Sequence, residues 1–538
     1  MENIKYFLAE YMDEFKILSK QWEEKGNIFR FFDKDPTLWK NEEEHKNIIS
    51  NRLGWLDAPE EMKQRISEIM GFVNDIRISR FKHAVILGMG GSSLCAEVLK
   101  KSFTIKKAHL SCYVLDSTDP ETISNIERTI DLKHTLFIVA SKSGTTIETL
   151  SHMRYFYKKI SSISTHPGEH FCAITDQETA LENNAQRLGF CKTFINPSDI
   201  GGRFSALSFF GLMPAALMGI DIKKMLDDAT DLLEQTKNTG LQENPCFGPG
   251  LAIGLLATKG KNKLTLMTDP SIRHLGLWLE QLVAESTGKE GKGIVPIVDE
   301  PILNQYHDDR IFVYLQCGKA APKNQGLVEA LVKQGRPVIK IKTENIKNIG
   351  AEFLRWEIIT SICSSVMQVN PFDEPNVKES KENTKRLLEN PGSITKIYKQ
   401  HLKTTSYINE FLKGLKALEY IAILFYGDPE NYDFEKHIKK IRKKLAEKYS
   451  SSTVAGIGPR YLHSTGQILK GGPPDIRFIF ITTKKRLDLD IPSAKYTFKD
   501  LQTAQAIGDI QAILQRQKRY IWIEISNKEE LERFLEFI

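Results

Sequence analysis

Cysteine is scarce in this chain and never paired. Its seven cysteines are odd in number, and none stands at Cys-x-x-Cys spacing. That argues against a disulfide framework or structural zinc and fits a reducing compartment. Long apolar runs are also missing. The longest, Phe209 to Ile220, falls short of the roughly 20 residues that a membrane-spanning helix needs. Residues Met1 to Trp22 mix Glu, Asp and Lys with aromatics and lack the apolar core of a signal peptide. A cytoplasmic protein without a membrane partner is the expectation. Charge of one sign is missing as well: 74 basic and 68 acidic residues are interspersed, for a net +6, too balanced to imply nucleic acid. The densest basic run, Lys439 to Lys444, lies on an expected helix beside Glu435 and Glu447 and reads as a solvated face. Repeats and low-complexity segments are absent.

What remains is a globular composition, 41% hydrophobic and 26% charged. Its 538 residues are enough for more than one domain. Residues 1–75 read as helices with charged surfaces, anchored by Trp22, Phe29, Phe31, Phe32 and Trp39. From about residue 80, short apolar runs alternate with amphipathic helices, the pattern of a parallel α/β sheet. Ala84–Leu87, Cys112–Leu115, His134–Ala140, Phe171–Ile174 and Lys192–Ile195 are the expected strands of the first such unit, 76–230. A second unit, 231–400, has strands at Leu264–Met267, Ile311–Leu315 and Pro337–Ile341, and ends in an exposed crossover with one helix at 371–400. A separate α/β domain, 401–538, has strands at Tyr420–Phe425, Thr453–Ile457, Ile476–Thr482 and Tyr520–Ile525.

Two strand-to-helix turns carry chemistry. Ser141-Lys142-Ser143-Gly144-Thr145-Thr146 puts hydroxyls, a lysine and a glycine where a strand ends and a helix begins. Free backbone N–H groups and the positive dipole end at a helix start attract an anion. Five Ser/Thr in nine residues (Ser141 to Thr149) exceed what a helix cap needs, so a phosphate monoester site is expected. Gly88-Met89-Gly90-Gly91-Ser92-Ser93 starts like a dinucleotide fingerprint, but Ser93 stands where the third glycine should be. No Gly-Lys-Ser/Thr ending makes it an NTPase loop either. Glycines that admit a ligand, followed by two hydroxyls, suit a phosphate or sugar, and a bare tight turn is the plain alternative. On one parallel sheet both turns open on the same edge, where ligands of such sheets bind.

These two stretches, with Gly201-Gly202-Arg203-Phe204-Ser205, Glu285-Ser286-Thr287-Gly288-Lys289 and Phe372-Asp373-Glu374-Pro375-Asn376-Val377-Lys378-Glu379-Ser380-Lys381, resemble in order the motifs of the glucose-6-phosphate isomerases. Gly458-Pro459-Arg460-Tyr461-Leu462-His463-Ser464-Thr465-Gly466-Gln467 brings the likeness nearest to the isomerase half of bifunctional transaldolase/glucose-6-phosphate isomerases. Too few residues lie upstream for a transaldolase barrel, so the isomerase is expected without that activity. The resemblance implies two sugar isomerase (SIS) domains of αβα sandwich type. It also implies a site between them and a metal- and cofactor-free aldose–ketose interconversion of glycolysis and gluconeogenesis, with a small sugar phosphate as partner.

The resemblance also implies roles. Glu285 matches the base that moves a proton between C1 and C2, a task that suits a carboxylate whose pKa burial has raised. Arg203 matches the arginine beside the enediolate, where a permanent charge is needed. Ser92, Ser141, Ser143 and Thr146, with Gly91, match the phosphate ligands, and Lys142 lies beside them, expected among the catalytic residues at the reacting end of the sugar. Lys381 matches the ring-opening lysine, and Gly202 and Glu374 would touch the sugar. Glu374 stands where the family more often has Gln.

The ring-opening histidine is either His463 or His307, which keeps the family's usual motif order in unlike surroundings; His463 is preferred, with Glu148 as its orienting carboxylate. Because His463 follows the late lysine motif, one chain could carry a complete site, so monomer and homodimer both stay open. So do a non-catalytic sugar-phosphate sensor and an isomerase that also accepts mannose 6-phosphate.

Overall fold

The structure is a computed structural model that describes residues 4–538 apart from 108 and 417. Three sheets carry the α/β pattern. The first consists of β2 (His83–Gly88), β3 (Ser111–Leu115), β4 (Thr135–Ala140), β5 (Phe171–Thr175) and β6 (Lys192–Ile195), all parallel in the order β3-β2-β4-β5-β6. The second combines β7 (Lys263–Thr268), β8 (Val295–Ile297), β9 (Arg310–Cys317) and β10 (Val338–Thr343) with an N-terminal strand, β1 (Ile4–Phe7). Its order is β1-β10-β9-β7-β8. The third holds β11 (Tyr420–Tyr426), β12 (Thr453–Ile457), β13 (Ile476–Thr483) and β14 (Arg519–Ile525), parallel in the order β12-β11-β13-β14.

Near-continuous apolar runs make these strands. Every residue of β4, β9 and β13 is buried, as expected for strands covered by helices on both faces. The connecting helices begin where local chemistry directs. Asp119 accepts from the amides of Glu121 and Thr122 ahead of Pro120–Thr129, and Thr497 and Asp500 form a reciprocal capping box ahead of Phe498–Gln515.

Three departures from the sequence reading stand out. The N-terminal segment is not helical throughout: β1 pairs antiparallel with β10. A four-residue strand is invisible in isolation, because the free edge of β10 creates it. Phe29 is no anchor, being 76% exposed, whereas Phe31 and Trp39 are fully buried. Trp39 donates to Ser361 O at 2.8 Å and packs on Phe372. The segment 371–400 is not an exposed crossover with one helix. It has two helices, Lys378–Glu389 and Ile394–His401, and the first buries Ser380, Asn383 and Thr384. Ser380 and Asn383 bond Asp509 and the Gly508 carbonyl on Phe498–Gln515. Its polar composition concealed this because the buried residues are hydroxyls and amides with partners.

Candidate active site

The strand order reverses at β2, so β2 and β4 flank the crevice where open α/β sheets bind ligands. Both hydroxyl-bearing turns leave this point: Gly88–Ser93 from β2, and Ser141–Thr146 from β4 into the helix Ile147–Ser161. Thr146 occupies the N-cap position without making a capping bond; its hydroxyl meets that of Ser141 at 2.9 Å. Ser143 and Thr145 pair in the same way at 3.0 Å. The hydroxyls are therefore not consumed by capping, and they share the turn with the positive end of the helix dipole. Ser143 and Thr146 line a cavity of about 570 Å³ whose walls also carry Glu148, Arg154, Lys381 and His463. Ser141 lies buried behind Thr146.

Three expected site residues stand away from the cavity. Lys142 pairs with the Asp176 carboxylate and donates to Ser198 O at 2.8 Å, tying down the segments after β5 and β6 instead of facing the cavity. Burial lowers its pKa against the opposing pull of Asp176. Gly91 is pressed against another turn: a Cβ there would stand 1.9 Å from Gly202 O. Gly90, at φ +55°, would in the same way place a Cβ 2.4 Å from His463 O. At these glycines protein backbone comes too close to admit a side chain. Ser92 ends the short helical turn Gly90–Ser92 and is not among the residues lining the cavity.

Arg203 and Glu285 come from different sheets. Arg203 follows Gly201-Gly202 after β6, and Glu285 sits in the last turn of Leu275–Thr287 after β7. Arg203 is 4% exposed. It donates from Nε to Ser286 Oγ at 2.9 Å, from one terminal nitrogen to Glu374 at 3.1 Å, and from the other to Pro371 O and Asp373 O at 2.5 and 3.0 Å. Of the five N–H groups of a guanidinium, one makes no hydrogen bond among the described residues, on the nitrogen that lies 3.6 Å from Glu285 Oε1. Burial raises the pKa of Glu285, and the charge of Glu374 adds to this while Arg203, Gln281 and Lys381 oppose it. The negative end of its helix acts in the same direction as burial.

His463 reaches this group from the same chain. Its Nε2 is 2.8 Å from Glu148 Oε1, and its carbonyl accepts from Gln281 Nε2 at 2.8 Å. The same amide donates to Glu285 Oε2 at 3.0 Å, so Gln281 joins the two residues. Burial alone would raise the pKa of Glu148. The charge and hydrogen bond of His463, with Lys381 further off, overcome this and hold it at about 2. Lys381 thus acts on both carboxylates, Glu148 and Glu285. His307 lies before β9 in the segment Tyr306-His307-Asp308-Asp309, bonded to none of these residues, and its buried Nδ1 has no hydrogen-bond partner among the described residues.

Several supporting residues escaped the sequence reading. Gln505 donates to Glu148 at 2.7 Å. Asp509 receives Ser380, Tyr461 and Lys470 at 2.9, 2.6 and 2.5 Å, so one carboxylate holds the neighbours of Lys381 and His463 together. Arg460 grips Asp116 with two bonds of 2.7 Å. Gln467 donates to Gly288 O and Asn376 at 2.9 and 2.7 Å. Lys289 pairs with Asp373 at 2.8 Å and also reaches the carbonyls of Ser286 and Asn370; burial first of all brings its pKa down to about 8. A signal did exist for two of them: Gln505 and Asp509 recur with Gln502 at helical spacing along Phe498–Gln515.

Comparison with known proteins shows the family. The chain is 31% identical over 399 residues to a glucose-6-phosphate isomerase of Heliobacterium modesticaldum, covering 64% of this chain and 88% of the relative. It is 29% identical over 387 residues to one of Mycoplasmopsis pulmonis, covering 63% and 90%. A solved structure of a glucose-6-phosphate isomerase from Chlamydia trachomatis shares the fold at TM-score 0.58 and 18% identity, over 72% of this chain and 89% of that one. A hypothetical protein from Thermus thermophilus gives 0.59 and 24%, over 72% and 99%. The family model described as phosphoglucose isomerase matches residues 54–352, a span that includes Ser141, Arg203 and Glu285 and ends before Glu374, Lys381 and His463. With more than half of its length matched, the chain belongs to the phosphoglucose isomerase family.

Proposed function

We propose that this protein interconverts glucose 6-phosphate and fructose 6-phosphate, with every catalytic group drawn from one chain. The observation that carries the reading is Gln281, whose amide holds both Glu285 and the backbone of His463. The proton-transfer carboxylate and the ring-opening imidazole are thereby fixed to each other.

In this reading Ser143 and Thr146, with Ser141 backing Thr146, hold the 6-phosphate at the helix start. His463, supported by the ionised Glu148, and Lys381 move the proton from the O1 hydroxyl to O5 as the C1–O5 bond of the hemiacetal breaks. Glu285 takes the proton from C2 of the open aldose, the O2 hydroxyl proton passes to O1 of the enediolate, and Glu285 returns its proton to C1 as C2=O forms. The free N–H of Arg203 meets the negative charge that builds on the enediolate oxygen between those steps. Anchoring by the remote phosphate fixes C1 and C2 and supplies proximity. A non-catalytic sugar-phosphate sensor has no use for a buried carboxylate of raised pKa beside an arginine with one free donor. A cytoplasmic setting belongs to the same reading.

A coupled assay with fructose 6-phosphate, and then with mannose 6-phosphate, tests the activity and its breadth. Glu285→Gln lowers turnover by about 10³-fold or more with substrate binding little changed. Near-wild-type turnover in that variant removes Glu285 from the role.

A further inference from the structure

Glu148 Oε1 serves two partners. It accepts from His463 Nε2 at 2.8 Å and from Gln505 Nε2 at 2.7 Å. An ionised carboxylate only accepts, so the Gln505 amide turns its NH2 toward Glu148 and its oxygen away. That oxygen accepts the hydroxyl proton of Thr118 at 2.7 Å. Thr118, Gln505 and Glu148 are all buried, so water does not compete for these bonds.

Thr118 belongs to the loop that follows β3, and four consecutive residues of this loop are bonded to other elements. Asp116 receives Arg460, three residues before His463, at 2.7 Å on each oxygen. The Ser117 carbonyl meets His152 Nε2 at 2.9 Å, one turn beyond Glu148 on the helix Ile147–Ser161. Thr118 holds Gln505, and Asp119 pairs with Lys485. Arg460, Gln505 and Lys485 all come from the third sheet's unit. One loop thus sets both the turn that carries His463 and the amide that reaches Glu148.

With His463 Nε2 committed to Glu148, Nδ1 is the nitrogen that exchanges a proton with the sugar, and its direction depends on where Glu148 Oε1 stands. Loss of the Gln505 amide leaves that oxygen with one donor of two. Glu285 and Arg203 bond neither Gln505 nor Thr118, so proton transfer at C2 does not depend on them. We propose that Gln505, clamped by Thr118, is a positioning residue for ring opening, holding Glu148 Oε1 where the His463 ring needs it. This role rests on the isomerase reading and assigns Gln505 to one step of it.

Anomerisation of glucose 6-phosphate isolates that step, because the α and β forms exchange through the open chain with no proton leaving C2. Exchange NMR, with the uncatalysed rate subtracted, measures it in Glu285→Gln, which opens the ring but cannot shuttle the C2 proton. Adding Gln505→Leu lowers this rate by about tenfold or more with substrate binding retained. Thr118→Val lowers it as well, whereas Thr118→Ser, which keeps the hydroxyl, does not. With Glu285 intact, Gln505→Leu also shrinks the C2-deuterium isotope effect on kcat/KM toward unity, since ring opening then limits the rate. A fold defect that only reduces the amount of active enzyme leaves that ratio unchanged. A wild type without isomerase activity removes the isomerase reading and this role with it. An active wild type whose anomerisation and isotope effect survive Gln505→Leu overturns the role of Gln505 alone. Where Gln505→Leu does not fold, equal anomerisation by Thr118→Val and Thr118→Ser overturns it.

Discussion

The imidazole of His463 and the carboxylate of Glu148 stand 315 residues apart in sequence and 2.8 Å apart in space, within one chain. This contact crosses from the third sheet's unit to the first, and Gln281 carries it on to Glu285 in the second. Three units meet at one histidine.

That pairing has a consequence at low pH. Glu148 is held at about 2 although burial opposes it. Its folded-state value lies below the ordinary glutamate value of about 4.3, so its contribution to stability is complete above that value and is lost as pH falls toward 2. Urea unfolding at pH 5 and at pH 3 should show a loss in the wild type, on the order of a few kcal/mol from this group by the end of the window. In Glu148→Gln that part of the loss disappears, and turnover falls by about 10- to 100-fold as the His463 ring loses its support.

The departure at Glu374 can be read through Glu285. The charge of Glu374 helps to raise the Glu285 pKa. Removing that charge lowers it, and a base that ionises at lower pH extends activity toward acid. Glu374→Gln should therefore move the acid limb of the kcat/KM profile downward. An upward shift, or none, would show that Glu374 does not act on Glu285 electrostatically.

The glycines separate packing from ligand contact. Gly91→Ala forces a Cβ to within 1.9 Å of Gly202 O, where backbone must move. A destabilisation of about 1–3 kcal/mol or more and displacement of Arg203 follow, read as a lowered melting temperature together with lost turnover. At Gly202 a Cβ meets nothing within 4 Å. Gly202→Ala keeps the melting temperature, and it raises KM because the methyl occupies space assigned to the sugar.

Strands of the three sheets were legible because fully buried parallel strands are written as unbroken apolar runs. β4, as Thr135-Leu136-Phe137-Ile138-Val139-Ala140, is the plainest. β1 and the three-residue β8 were not legible, since short edge strands take their form from a neighbour. In the site, residues embedded in motifs were visible: Arg203, Glu285, Lys381 and His463 come together as expected. Partner choice was not visible. Lys142 turns to Asp176, and Gly91 gives way to Gly202, because each responds to a segment distant in sequence. Gln281 was hidden for the reverse reason: an amide four residues before Glu285 looks like any polar helix residue until His463 arrives from the far end of the chain.

Mixing Glu285→Gln with His463→Ala, each inactive alone on fructose 6-phosphate, tests most directly whether one chain holds the whole site. Refolding the two variants together allows any shared assembly to form. With His463 serving the Glu285 of its own chain, no hybrid contains an intact site, and the mixture stays as inactive as its components. Recovery of a substantial fraction of wild-type turnover would contradict the account, since it requires the histidine to come from a second chain.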